Sequence, residues 1–408
     1  MTSRDDFDVL ISGGGMVGAS LAAALGGKDL RVGVIEAVPF NRKGQPSYDD
    51  RAIALAHGTR RIFTTMGVWP RLAGGVTPIE KIHVSDRGHF GALRMDCRQE
   101  RVDALGYVVE ARVLGRALGE TLARLPNVTM LCPARLEHMA TDAAAAHVTL
   151  DEQGSSRDVS ARLLVAADGG QSAVRETLGI HTSQWDYGQC AVITNVTPGA
   201  PHCNTAYERF TDTGPLALLP MGEDRCAVVW THRSTDAEAV VAMDDDRFLA
   251  ALQDSFGYRL GQFLKVGQRN AYPLQLIRAN EYTRERVALI GNAAHTLHPV
   301  AGQGFNLGLR DVAALADVII TAVSDGQDIG ADAVLRRYTQ WRRRDHARVI
   351  AFTDALVRVF SNDFTPLVVA RDLGMTALDL LPGLKQGIIG RAMGIAGRLP
   401  RLARGIPL

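Results

Sequence analysis

FDVLISGGGMVGASLAAALGG at residues 7–27 and RVGVIE at residues 31–36 decide the fold of this chain. Residues 7–11 form a short apolar run with β-branched members, as a buried strand requires. The run breaks at Ser12-Gly13-Gly14-Gly15. Residues 16–25 then read as a helix, and Gly26-Gly27 stops it. Residues 32–35 give a second strand that ends at Glu36, completing a β-α-β unit of about thirty residues. Inside the unit stands Gly13-x-Gly15-x-x-Gly18. Gly13 permits the tight turn, Gly15 lets a pyrophosphate approach the backbone, and Gly18 lets helix and strand pack closely. The helix N-terminus offers unpaired N–H groups and a partial positive charge to the phosphates. Glu36, 18 residues after Gly18, is placed to hydrogen-bond ribose hydroxyls. A glycine-rich turn without a ligand is the plain alternative. The strand before, the helix after and the acid at this distance together favour a bound dinucleotide.

The rest of the chain extends the pattern. A helix is expected over 56–66, strands over 79–84 and 90–95, and a helix over 111–124, where Leu114, Leu118 and Leu122 recur at intervals of four. A strand over 128–131 precedes a meander over 135–160 and a buried strand over 163–167. Residues 181–278 change character: strand-like runs at 191–196, 216–219 and 227–230 alternate with turn residues, and a helix over 245–253 interrupts them. A strand over 287–290 leads through a glycine-rich loop to helices over 305–323 and 331–356. The expected fold is α/β. A discontinuous Rossmann-like domain comprises 1–75, 101–180 and 279–352. A mainly antiparallel β-sheet domain, 76–100 and 181–278, is inserted in it, and 353–408 is a C-terminal helical region.

Composition narrows the function classes. With 46% hydrophobic and 22% charged residues, the chain is neither disordered nor fibrous. Its 45 basic residues balance 44 acidic ones, so no global field draws in nucleic acid, and none is expected as a partner. Cys97, Cys132, Cys190, Cys203 and Cys226 are odd in number and contain no C-x-x-C pair. That argues against a disulfide framework or structural zinc and fits a reducing cytosol. Asp5, Asp6 and Asp8 stand where a secretory leader would be cationic, and no apolar run is long enough to span a bilayer. A cytoplasmic protein is expected.

Two further motifs follow strands. Asp168-Gly169-Gly170-Gln171-Ser172-Ala173-Val174-Arg175 could be no more than a helix cap. GNAAHTLHPVAGQGFNLG, from Gly291 to Gly308, joins a strand to a helix, and its N–H groups can gather on an anion. Its His295 and His298 are a poor ligand set by themselves; packing or hydrogen bonding within the loop is expected, and no metal.

Together the three motifs resemble those of the FAD-dependent aromatic hydroxylases, the group A flavin monooxygenases typified by p-hydroxybenzoate hydroxylase, over residues 7–350. The run GNAAHTLHPVAGQGFNLGLRDV, the stretch AYERFTDTGPLALLP (206–220) with VVWT (228–231), and the tail from Phe360-Ser361-Asn362 to Pro407-Leu408 are similar to the ubiquinone-biosynthesis hydroxylases, above all to the 2-octaprenyl-6-methoxyphenol hydroxylases. The resemblance implies that Gly13, Gly15, Gly18 and Glu36 hold the ADP half of FAD. It puts Arg51 near the flavin and ribityl chain and Arg112 near the phosphates. Asp168 would serve FAD and nicotinamide cofactor together. Asn292 stands where the family carries Asp; its amide still donates and accepts hydrogen bonds but is uncharged. The backbone from Gly302 through Gln303, Gly304 and Phe305 to Asn306 would face the flavin pyrimidine edge, its helix N-terminus stabilising the charge of reduced flavin.

The implied reaction is hydroxylation of a polyprenylated phenol in ubiquinone biosynthesis. NADPH or NADH, bound transiently, reduces FAD, and a flavin C4a-hydroperoxide formed with O2 delivers the oxygen. Tyr207, His202 and His232 are candidates for the base that deprotonates the phenol. No second G-x-G-x-x-G, no C-x-x-x-x-C redox pair and no W-x-W-x-I-P halogenase signature is present. The competing readings are a prenyl reductase or epoxidase on the same scaffold, and a catalytically silent FAD-binding subunit of a biosynthetic complex. A homo-oligomer or such a complex stays open. Residues 364–408 set six Lys or Arg against two Asp among many apolar residues. They read either as a helical cap on the FAD domain or as a basic-apolar surface for partner proteins or for peripheral contact with the inner membrane.

Overall fold

The computed structural model describes residues 6–39, 51–298, 302–360 and 365–408, and in it the chain is an α/β protein built on three sheets. The strand Phe7–Ser12 lies inside the parallel sheet, between Ser155–Ala166 and Val32–Ile35. Val287–Leu289 and Val128–Leu131 extend the sheet on either side. Val9, Leu10 and Ile11 are wholly buried, because a parallel strand covered on both faces must be continuously apolar. Arg135–Thr141 and Ala146–Glu152 hang antiparallel on the strand Ser155–Ala166 as the expected meander. The helices Met16–Ala24 and Gln303–Ser324 pack on one another. The second is buried along nearly its whole length, which is why it is apolar almost all round.

The largest sheet is nine-stranded. Thr182–Pro198, Cys226–Arg233, Gly214–Pro220 and Thr205–Thr211 follow one another antiparallel. Lys81–Asp86 then joins in parallel, and Ala92–Asp96 closes the edge antiparallel. The single strand expected over 79–84 is two. Val76–Ile79 joins a three-stranded sheet with Gly106–Glu110 and Ala52–Ala56, whereas Lys81–Asp86 enters the large sheet. The chain changes sheets at Glu80, whose N–H donates to Asn204 O at 2.9 Å. The strand expected over 191–196 lies in the second half of a 17-residue strand, Thr182–Pro198. Its first half is polar and largely exposed, so hydrophobicity does not mark it.

The helix Asp332–Phe360 is followed by Thr365–Leu380 and Pro382–Ala392. Buried Arg371 ties the first of these two to the large sheet through Asp86, Nε to Oδ2 at 2.7 Å. The last residues turn back to the parallel-sheet side, where Arg401 pairs with Asp317 at 2.7 Å and Lys28 Nζ donates to Leu408 O at 2.6 Å. No helix among the described residues is long and apolar enough to cross a membrane. Pro299–Ala301 of the third motif and Ser361–Asn362 of the tail lie outside the described residues.

Candidate active site

The first motif forms the turn its glycines require. Gly13 has φ +100°, and a Cβ there would stand 2.6 Å from Ala167 O. A Cβ on Gly18 would stand 1.9 Å from Gly13 O, so only glycine lets the helix Met16–Ala24 meet the strand. Gly15 caps that helix without a side-chain hydrogen bond, leaving its first N–H groups open. Glu36 accepts from Gly14 N through Oε2 and from Val38 N through Oε1, both at 2.9 Å. Each oxygen keeps a lone pair for a hydroxyl.

The second motif is a cap and also a tie. Asp168 Oδ2 accepts from Val174 N at 3.2 Å, and Ser172 caps the short helix Ala173–Thr177. Among the described residues Asp168 Oδ1 is buried without a hydrogen-bond partner, and burial raises the pKa of the carboxyl. Arg175 donates to Gly170 O at 2.7 Å and to Ala293 O at 2.9 Å, joining this motif to the third.

The third motif rests on a buried charge cluster. Asp311 Oδ2 accepts from His295 Nε2 at 2.7 Å and from Gly291 N at 3.2 Å. Its Oδ1 accepts from His346 Nε2 at 2.6 Å and from Arg342 Nε at 2.7 Å. Two histidines and a carboxylate within reach of one ion are a metal-ligand set by chemistry, but the Arg342 guanidinium already supplies the counter-charge. Burial opposes ionisation of Asp311, but His346, Arg342 and His295 outweigh it and hold the carboxyl well below its usual range. Burial pushes His346 down to about 4, so it is neutral at pH 7 and donates through Nε2–H. Gly302, at φ +60°, then opens the helix Gln303–Ser324 with no side-chain cap. Asn306 is committed within the protein. Its Oδ1 accepts from Ala56 N at 2.8 Å and Thr59 Oγ1 at 2.7 Å, and its Nδ2 donates to Ala54 O at 2.8 Å and Gly302 O at 2.7 Å. Asn306→Ala is expected to cost about 2–4 kcal/mol, since it strips partners from buried groups, and calorimetric unfolding will register it.

These motifs open on one cavity of about 780 Å³. Gly15, Arg51, Gly169, Asn292 and residues 302–306 are among its lining. Arg51 lies over the Tyr272 ring at 5.2 Å. Phe305 lines the cavity while stacking on Phe63 at 6.2 Å. Apolar side chains of the large sheet and Met375, Leu378, Ile388, Ile389 and Met393 of the C-terminal region make up much of the remaining wall. Gly13, Gly18, Glu36 and Asp168 are not among the residues that line this cavity. Arg112 is half exposed and ion-paired with Glu110, one residue past Ala111, which lines the cavity.

The base candidates separate. His202 Nε2 pairs with Met221 O at 2.9 Å and Nδ1 accepts from Asn204 N at 3.1 Å, so both nitrogens are in use. His232 packs on Trp230 at 4.2 Å, and neither histidine lines the cavity. Tyr207 does, but burial raises its pKa. Sequence reading overlooked Glu208, a carboxylate in the cavity wall; the strand period of two, which sets Ala206, Glu208 and Phe210 on one face, was the signal that could have found it.

A family model described as "FAD binding domain" matches residues 6–353. The chain is 42% identical over 404 residues to ubiquinone hydroxylase UbiL of Rhodospirillum rubrum, covering 98% of this chain and 93% of that one. It is 31% identical to the human mitochondrial ubiquinone biosynthesis monooxygenase COQ6, with 95% and 92% covered. Among solved structures, p-nitrophenol 4-monooxygenase PnpA from Pseudomonas putida DLL-E4 shares the fold with a TM-score of 0.79 at 19% identity, over 96% of this chain and 99% of that one.

Proposed function

Because this chain belongs to the ubiquinone-biosynthesis hydroxylases, a branch of the FAD-dependent monooxygenases, we propose that it uses NAD(P)H and O2 to hydroxylate the ring of a polyprenylated phenol. The observation that carries this reading is a cavity lined both by glycine-rich backbone and by an apolar wall. The glycine-rich lining fits FAD. Gly169 and Gly304 have nothing within 4 Å of a Cβ position, Asn292 is exposed, and the N-termini of two helices lack side-chain caps. In this reading Gly13, Gly15, Gly18 and Glu36 hold the ADP half, with Arg51, Arg112, Asp168 and Asn292 along the rest. The backbone from Gly302 to Asn306 lies at the flavin ring.

Bound FAD supplies the chemistry, taking a hydride from NAD(P)H and activating O2. The chain's residues do the rest. The N–H groups in the first turn of the helix Gln303–Ser324, which no side chain caps, favour negative charge at the flavin. The apolar wall excludes water and takes the prenyl chain. We also read 76–100 with 181–278 as the substrate-binding part. Val369, Leu373, Leu380 and Leu381 leave apolar surface exposed on the helices that close the cavity. That supports peripheral contact with a membrane holding the substrate.

Gly304→Val tests the flavin placement. The apoprotein has room for the side chain, so folding is expected to persist while flavin reduction falls by about tenfold or more, as loss of positioning costs. Unimpaired reduction would remove the assignment. The function itself is tested with the FAD-loaded protein: a short-chain 2-prenyl-6-methoxyphenol should stimulate NADH or NADPH oxidation. Oxidation indifferent to the phenol, with peroxide as its only product, would count against it.

A further inference from the structure

We propose that Glu208 is the base that takes the phenol proton of the substrate, an assignment that rests on the hydroxylase reading above. The strand Thr205–Thr211 sets Glu208 opposite Val84 on one side and Ala217 on the other. Ala217 is in turn opposite Val229, and Val229 opposite Ile193. Residues in register across a sheet share a face. All five of these line the cavity, and Glu208 is the one polar member of the row.

Its surroundings give it no structural task. Among the described residues its carboxylate has neither a hydrogen bond nor an ion pair. The cavity wall holds two other ionisable side chains among the described residues, Arg51 and Tyr207. Arg51 stands over Tyr272, and burial makes Tyr207 a weaker acid than usual. The C-terminal helices that close the cavity present only apolar side chains to it. An unpaired carboxyl on an apolar wall costs stability. Such a group is better explained by what enters the cavity than by the packing around it. Burial raises its pKa to about 7, which suits a base working near neutrality.

The step is a proton transfer. The phenol O–H bond breaks, its electron pair stays on oxygen, and Glu208 becomes the neutral acid. The phenolate charge spreads to the ring carbons ortho and para to it, which makes them nucleophilic toward oxygen delivered from O2. The attacked carbon then loses its own proton as the ring regains aromaticity. Glu208 returns its proton to the product oxygen and ends as it began. O2 is the oxidant and takes up four electrons, two from NAD(P)H and two from the ring carbon that gains oxygen; its second oxygen atom leaves as water, which carries away the ring proton.

The test compares wild-type, Glu208→Gln and Glu208→Asp holoenzymes on the short-chain prenyl-methoxyphenol, with hydroxylated product counted by mass spectrometry. Wild-type turnover should rise roughly tenfold per pH unit up to about 7 and then level. Glu208→Gln should bind FAD as the wild type does and bind the phenol within about threefold, yet form product about a hundredfold more slowly without that pH limb. Its NAD(P)H oxidation should be diverted to peroxide. Glu208→Asp should recover part of the rate with the limb moved to lower pH. The assignment is overturned if Glu208→Gln keeps the wild-type rate and pH limb, or if it weakens phenol binding while kcat is unchanged. Should Glu208→Gln fail to fold, a Glu208→Asp limb that does not move overturns it equally. If the wild type itself yields no hydroxylated phenol, the hydroxylase reading fails, and this assignment with it, before any variant is compared.

Discussion

Asp311→Ala is expected to lose about 3–5 kcal/mol of stability, the usual result of removing one partner from a buried charge cluster. Asp311 has no exposed surface, and it holds the Arg342 cation, two histidine N–H groups and Gly291 N together. Without it Arg342 keeps Asp345 but is left with a buried, under-compensated charge. A domain's whole stability is about 5–15 kcal/mol, so the loss is a large fraction. The effect will reach the cofactor. Gly291 and His295 bracket Asn292, which lines the cavity, so FAD affinity should fall together with the unfolding midpoint. Thermal unfolding with and without added FAD separates the two effects. A variant with wild-type midpoint and FAD content would show that the cluster does not brace the loop.

Gly18→Ala should largely abolish FAD retention. The added carbon would stand 1.9 Å from Gly13 O and 3.1 Å from Gly13 C, which are backbone atoms of a turn that cannot swing aside. The helix Met16–Ala24 must back away, taking its open N–H groups out of line with the phosphates. Overpacking of this kind costs about 1–3 kcal/mol. Each 1.4 kcal/mol lost from binding is about a factor of ten in affinity. Flavin absorbance of the purified variant, relative to its protein content, checks this. A full complement of FAD would mean that the helix terminus does not carry the phosphates.

What the sequence made legible were features written in local order. The βαβ unit, its glycine spacing, the helix that opens near Gly302 and the antiparallel insert all depend on neighbours within about thirty residues. The features it hid are assembled from a distance. The cluster around Asp311 brings together His295, Arg342 and His346 from a loop and a second helix, and no spacing rule joins them. Glu208 reads as an ordinary polar residue of a strand until the register with Val84 and Ala217 turns it into the cavity. The break at Glu80 depends on a partner, Asn204, more than a hundred residues away. The C-terminal helices showed their apolar residues, but not that Met375 and Ile389 face the cavity while Leu373 and Leu380 face outward.

If this cavity serves the proposed hydroxylation, oxygen from O2 must end on the ring of a prenylated phenol. The most direct test supplies FAD-loaded protein with NADPH or NADH, isotopically labelled O2 and a short-chain 2-prenyl-6-methoxyphenol, and weighs the product. One labelled oxygen atom on the ring is expected, with fragmentation giving its position. Reduced nicotinamide consumed, peroxide released and no label on the phenol would contradict it.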